Sequence, residues 1–178
     1  MRAFSLVSPV VLVLLLAGCG DGDDAAATPS ATGVPASISL SSGAFHDGET
    51  IPPDNTCKGR GVAPDLAWGG VPKQAQSLAL VVDDPDAGNY VHWVVYDLSP
   101  EEFRIEGGRV PAAAKQAKNS GGDQGWTPPC PPSGRHNYRF TIYALDAPAT
   151  GATTSDLVQS IQDHAIATGA LTAFVTAT

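Results

Sequence analysis

Residues 77–96 read SLALVVDDPDAGNYVHWVVY. Two apolar runs, Ser77–Val82 and Tyr90–Leu98, are rich in Leu, Val, Trp and Tyr, a composition that favours strands. Between them lies an acidic turn, Asp83-Asp84-Pro85-Asp86-Ala87-Gly88. Asp-Pro and Ala-Gly suffice to reverse the chain, so the three carboxylates exceed what a turn requires. The second run then opens with His92 beside Trp93. Carboxylates at the end of one strand and a histidine at the start of the next suit the binding of something polar, with other segments supplying the remaining walls.

One such wall is Gly125–His136, GWTPPCPPSGRH, whose four prolines leave few free amides and little freedom. It reads as a rigid loop, and out of it rises a strand, His136–Leu145. Alternation sets His136, Tyr138, Phe140, Ile142 and Ala144 on one face and Asn137, Arg139, Thr141 and Tyr143 on the other. Upstream, Ile38–Phe45 reads as a first strand closed by Asp47-Gly48, and Asp65–Trp68 as a short one. Glu101–Gln124 has little pattern beyond a possible helical turn over Ala112–Ala117. Near the end, Ser155 as N-cap, Asp156 in the first turn and Leu157, Ile161 and Ala165 at i, i+4, i+8 predict a helix. Gly169 is expected to stop it, with a last strand over Leu171–Thr176. Short strands, long Pro/Gly loops and one late helix make a mostly β domain.

The 178 residues suffice for one proper core. Hydrophobic content of 43% marks a globular chain, and a net charge of −8 argues against nucleic acid as partner. An anionic ligand stays open, because one local pocket can be cationic in an acidic protein. Arg2, the apolar run Val7–Ala17 and Leu16-Ala17-Gly18-Cys19 look like a bacterial lipoprotein signal over residues 1–18, with Cys19 the lipidated residue. Residues 19–37 then read as the lipidated cysteine and a tether without apolar periodicity, and 38–178 as the folded domain. The expected address is the bacterial cell envelope, outside the cytoplasm, with the lipid holding the membrane. Of three cysteines this leaves Cys57 and Cys130, an even pair in an oxidising compartment and hence an expected disulfide.

The motifs DDPDA (83–87), VHWVVYDL (91–98) and CPPSGRHNYRFTIYALD (130–146), with FHDGETIP (45–52) and PDLAW (64–68), resemble the phosphatidylethanolamine-binding protein family, in its bacterial Raf-kinase-inhibitor-like branch. The resemblance implies two packed antiparallel sheets with peripheral helices and a small pocket for phosphate-like anions. Carried over by motif, that pocket consists of Asp84, Asp86, His92, Pro131, His136 and Tyr138. Two departures stand out. Gly88 occupies a position where many relatives have proline, which points to a more mobile loop. Asn137 occupies one where arginine is common, on the strand face away from the pocket.

A histidine beside a carboxylate has its imidazolium favoured, so Asp84 next to His92 or His136 is expected to hold one ring protonated. Tyr138 offers a hydroxyl and the loop near Cys130 an amide, which together suit a phosphate head group. Blander readings remain for each: a solvated acidic turn, a core histidine at 92, an amphipathic core tyrosine at 138. Asp83, opposite Asp84 by alternation, reads as structural, and His46 and His164 as surface or capping residues. Three functions compete: a small-anion or phospholipid-head-group binder, an inhibitor of a protease or kinase, and an enzyme using the Asp/His/Tyr pocket. The third is disfavoured, since no Gly-x-Ser-x-Gly elbow or spare cysteine supplies a nucleophile. A metal on Asp84, Asp86, His92 and His136 lacks any metal-binding spacing motif. No metal, cofactor or catalytic residue is therefore assigned.

Overall fold

A computed structural model describes residues 36–177. The expected signal segment, Cys19 and nearly all of the tether lie outside the described residues. The elements are β1 (Ala36–Ser37), β2 (Ser39–Ser42), β3 (Leu66–Gly69), β4 (Ser77–Asp84), β5 (Tyr90–Leu98), β6 (Arg104–Ile105), β7 (Lys115–Gln116), β8 (Arg135–Leu145), α1 (Thr154–Asp163) and β9 (Ala165–Thr176). A large sheet runs β1-β9-β8-β4-β5-β7 and a small one β2-β3-β6. Pairing is antiparallel between all these neighbours except β1 beside β9, where Ala36 and Ser37 run parallel to Ala167 and Thr168. The fold is mostly β, in two sheets, as the sequence indicates.

The central strand explains why residues 77–82 are apolar without interruption. Every residue of β4 is buried, because the strand is covered on both faces. Leu78, Leu80 and Val82 enter the core between the sheets with Trp68, Trp93, Phe140 and Ile142. Ala79 and Val81 face the other way, onto Leu157 and Ile161 of α1. The same parity sends Asp84 toward the inter-sheet side and Asp83 toward α1. Asp83 there receives Arg139 through two hydrogen bonds, Nε to Oδ1 at 3.1 Å and Nη2 to Oδ2 at 2.6 Å. Its role is structural, as alternation suggests.

Several boundaries differ from expectation for physical reasons. The first antiparallel strand is only Ser39–Ser42; Phe45 is buried beyond its end. Residues 111–114 make a turn closed by Ala114 N–H donating to the Pro111 carbonyl at 3.0 Å, and Lys115–Gln116 pair with β5 instead of forming a helical turn. The helix is capped by Thr153, not Ser155, in a reciprocal box with Asp156. His164 ends it, so Ala165 already belongs to β9. Gly169 lies inside β9, where a Cβ would collide with the Ile38 carbonyl. That glycine marks a close backbone approach within a strand, not a helix stop.

Candidate functional site

Three adjacent strands bring the site together. In the order β8-β4-β5, the start of β8 carries His136 and Tyr138, the end of β4 carries Asp84, and the start of β5 carries Tyr90 and His92. Tyr138 shares the strand face of Phe140 and Ile142, so the site lies where the inter-sheet core runs out. Across it stands the proline loop, tied down at several points. Thr127 N–H donates to the His92 carbonyl at 2.9 Å, Trp126 Nε1 to the Gly61 carbonyl at 3.1 Å, and Cys57 N–H to the Pro129 carbonyl at 3.1 Å. Cys57 and Cys130 are joined as a disulfide across 73 residues of sequence, the pairing expected from cysteine usage. The hollow between strands and loop is open to solvent, measures about 290 Å³ and is lined by Asp84, His92, Pro131, His136 and Tyr138 among others.

Asp84 is the pivot. Its Oδ1 accepts from the N–H groups of Asp86 (2.9 Å) and Ala87 (3.0 Å), capping a short 3-10 turn, Pro85–Ala87. The turn closes through Gly88 at φ 67°, a left-handed conformation that glycine adopts freely and proline is barred from. The other oxygen, Oδ2, accepts from His136 Nδ1 at 2.7 Å. The carboxylate is almost fully buried, with 3% of its side chain exposed. It therefore fixes the turn and the His136 ring together. Tyr138 is 1% exposed, and burial, followed by the neighbouring Asp84, pushes its phenol well above the usual tyrosine range. Its hydroxyl keeps its proton.

His92 lines the hollow but is not the histidine that Asp84 takes. Asp84 pairs with His136, while His92 Nδ1 lies 2.8 Å from the Thr127 carbonyl. Its ring is packed against Tyr90 at 4.9 Å and Tyr138 at 5.2 Å between centroids. Burial dominates and drives its pKa down; the Thr127 carbonyl and Asp84 oppose this only in part. Of the two rings the sequence offered to Asp84, His136 is the one it holds, and burial favours the neutral form of His92.

Asp86 does not line the hollow. Its Oδ2 accepts from the Asn137 backbone N–H at 2.7 Å and from Asn137 Nδ2 at 2.9 Å. These bonds, the backbone one foremost, hold the Asp86 carboxyl below the usual range. Asn137, on the outward face of β8, thus staples the acidic turn to the strand beside the site. Alternation alone gave no sign of that link, because it joins residues 51 apart in sequence. Tyr90 and Thr127 also line the hollow. Tyr90 was within reach of the sequence, two residues before His92 on the same strand face. Among the described residues no group of three or more His, Cys, Asp or Glu is arranged to hold a metal, and the four proposed on ligand type do not converge, since Asp86 is turned to Asn137. The lining among described residues contains neither lysine nor arginine.

The sequence pattern of the family described as phosphatidylethanolamine-binding protein matches residues 41–176. A protein of Mycobacterium tuberculosis named "Putative lipoprotein LppC" is 42% identical over 177 aligned residues, covering 88% of this chain and 87% of that protein. The solved structure of CT736 from Chlamydia trachomatis, titled a homologue of phosphatidylethanolamine-binding protein, superposes with a TM-score of 0.73 at 37% identity, over 80% of this chain and 99% of the other. That of Escherichia coli YbcL, titled a member of the mammalian PEBP family, superposes with 0.74 at 25% identity, over 80% and 100%.

Proposed function

The chain belongs to the phosphatidylethanolamine-binding protein family, and from that premise we propose that it binds a small phosphate-type anion in the hollow at the ends of β4, β5 and β8. The observation that carries this reading is the Asp84–His136 pair. With Nδ1 donated to a buried carboxylate at 2.7 Å, the His136 ring is oriented and supplied with a counter-charge. Its remaining nitrogen, Nε2, has no protein partner among the described residues and belongs to a residue lining the hollow. A ring that donates Nδ1 to Asp84 on one side and Nε2 to an anion on the other makes two charge-assisted hydrogen bonds. Asp84, His92, Pro131, His136 and Tyr138 serve as walls and contacts, and Asp86 acts by fixing the turn against Asn137. Binding, with no chemical conversion, is the proposed role.

The proposal extends to location. A lipid on Cys19 would hold the domain at the outer side of a bacterial membrane, with residues 1–18 removed as signal. The name of the Mycobacterium tuberculosis relative and the Cys57–Cys130 disulfide, which belongs in an oxidising compartment, both support this address.

Titration with inorganic phosphate, followed by NMR of the histidine rings, tests the binding. Resonances of His136 and His92 are expected to move together and saturate, and His136→Ala to abolish the response while the protein stays folded. Unmoved histidines at saturating phosphate would sink the reading.

A further inference from the structure

The donors and acceptors around the hollow narrow its ligand further, on the footing of the anion reading above. Both histidines commit Nδ1 to protein acceptors, but unequal ones. His136 meets the Asp84 carboxylate, whereas His92 meets only the neutral carbonyl of Thr127 at 2.8 Å. A carbonyl accepts and never donates, so the proton of a neutral His92 ring resides on Nδ1 and Nε2 is a bare lone pair. The residue is 6% exposed and packed between the rings of Tyr90 and Tyr138, a burial away from water that opposes a charge there. Nε2 has no hydrogen-bond partner among the described residues, yet it is not sealed from solvent, and His92 lines the hollow.

An anion pressed against that lone pair is repelled unless it brings a hydrogen. We infer that the hollow selects anions carrying their own proton donor, namely phosphate monoesters holding one P–O–H, and that His92 is the specificity-determining residue. In this arrangement an anionic oxygen takes His136 Nε2, and the P–O–H donates to His92 Nε2. A phosphodiester alkylated on both ester oxygens has no such hydrogen and leaves a buried acceptor facing an oxygen lone pair, the mismatch that binding sites reject most strongly.

Methyl phosphate and dimethyl phosphate make the test. At about pH 6, near the second ionisation of a phosphate monoester, affinities are compared per monoanion, so that the two probes carry equal charge and differ in one hydrogen. Methyl phosphate is expected to bind at least about tenfold tighter. In His92→Gln, whose amide can present N–H groups to the hollow, that preference should collapse. Equal affinity in the unaltered protein overturns the role of His92 and leaves the anion reading intact; failure of both probes overturns the anion reading and this inference with it. Because the substitution also removes the Thr127 contact, ring-nitrogen chemical shifts of the unaltered protein give an independent check. They should show His92 protonated on Nδ1 alone near neutral pH, and a proton on Nε2 in the free protein overturns the inference. A soluble ester and a lipid share this chemistry, and dihexanoyl phosphatidic acid separates them: binding tighter than methyl phosphate assigns the lipid, and no gain assigns the soluble ester. In either case phosphatidic acid must bind tighter than dihexanoyl phosphatidylcholine, and the reverse order counts against the inference.

Discussion

A neutral imidazole buried at position 92 has a consequence for stability. The ordinary histidine pKa is about 6.5, and burial lowers it in the folded state. As pH falls below about 6.5 the unfolded chain takes up a proton that the folded chain refuses, so stability is lost on acidification until the lowered pKa is passed. Urea unfolding at neutral and mildly acid pH should show this loss, and His92→Gln should remove the part that belongs to this ring. Equal acid sensitivity in both proteins would show that the ring is not buried neutral. Asp84 has two separable duties, since Oδ1 caps the turn and Oδ2 holds His136. Asp84→Asn retains capping ability but not the counter-charge, and is expected to fold nearly normally while losing most anion affinity. Asp84→Ala loses the cap as well, at a further cost of about 1 kcal/mol, measurable as a lower urea midpoint. The strand parity of His136 and Tyr138 and the excess of aspartates were readable in the sequence. Which histidine Asp84 would take was not, because that depends on which strand lies beside β4 at its last residue.

At the scale of elements, the proline loop and the segment around Cys57 are one wall made from two distant pieces, joined by the disulfide and by the Trp126 and Cys57 hydrogen bonds. Closing a loop with a sequence separation of 73 residues should stabilise the fold by about 4 kcal/mol on the chain-entropy account. Cys57→Ser/Cys130→Ser is therefore expected to melt lower and to bind anions more weakly, because the wall beside His136 loses its outer fastening. Unchanged affinity in the folded double variant would assign the bond to stability alone. Gly169 gives a sharper test of packing: Gly169→Ala drives a methyl into the Ile38 carbonyl and should destabilise by about 1–3 kcal/mol, read as a lower urea midpoint. The sequence marks this glycine only as a helix breaker, since its true neighbour lies 131 positions away on another segment. The helix shows the same limit on a smaller scale. Leu157 and Ile161 were readable from their spacing, but Thr153 displaces Ser155 as cap because only Thr153 completes the reciprocal pair with Asp156.

At the scale of the whole domain, the uninterrupted apolar run of β4 becomes a strand covered on both faces, by the small sheet on one side and α1 on the other. That the run is buried follows from composition, whereas the two-sheet architecture is legible only through the family resemblance. The small strands β6 and β7 are legible in neither, because two-residue elements carry no periodicity and exist only where a neighbour offers an edge. The order of the large sheet has one more effect. Ala36 enters alongside Ala167, whereas His136 sits across from Val175, eight residues farther along β9 and about 26 Å away at the rise of a strand. The chain therefore joins the sheet at the pole opposite the mouth of the vessel, which makes Ala36 the place where a fluorescent reporter can be joined without its point of attachment touching a ligand.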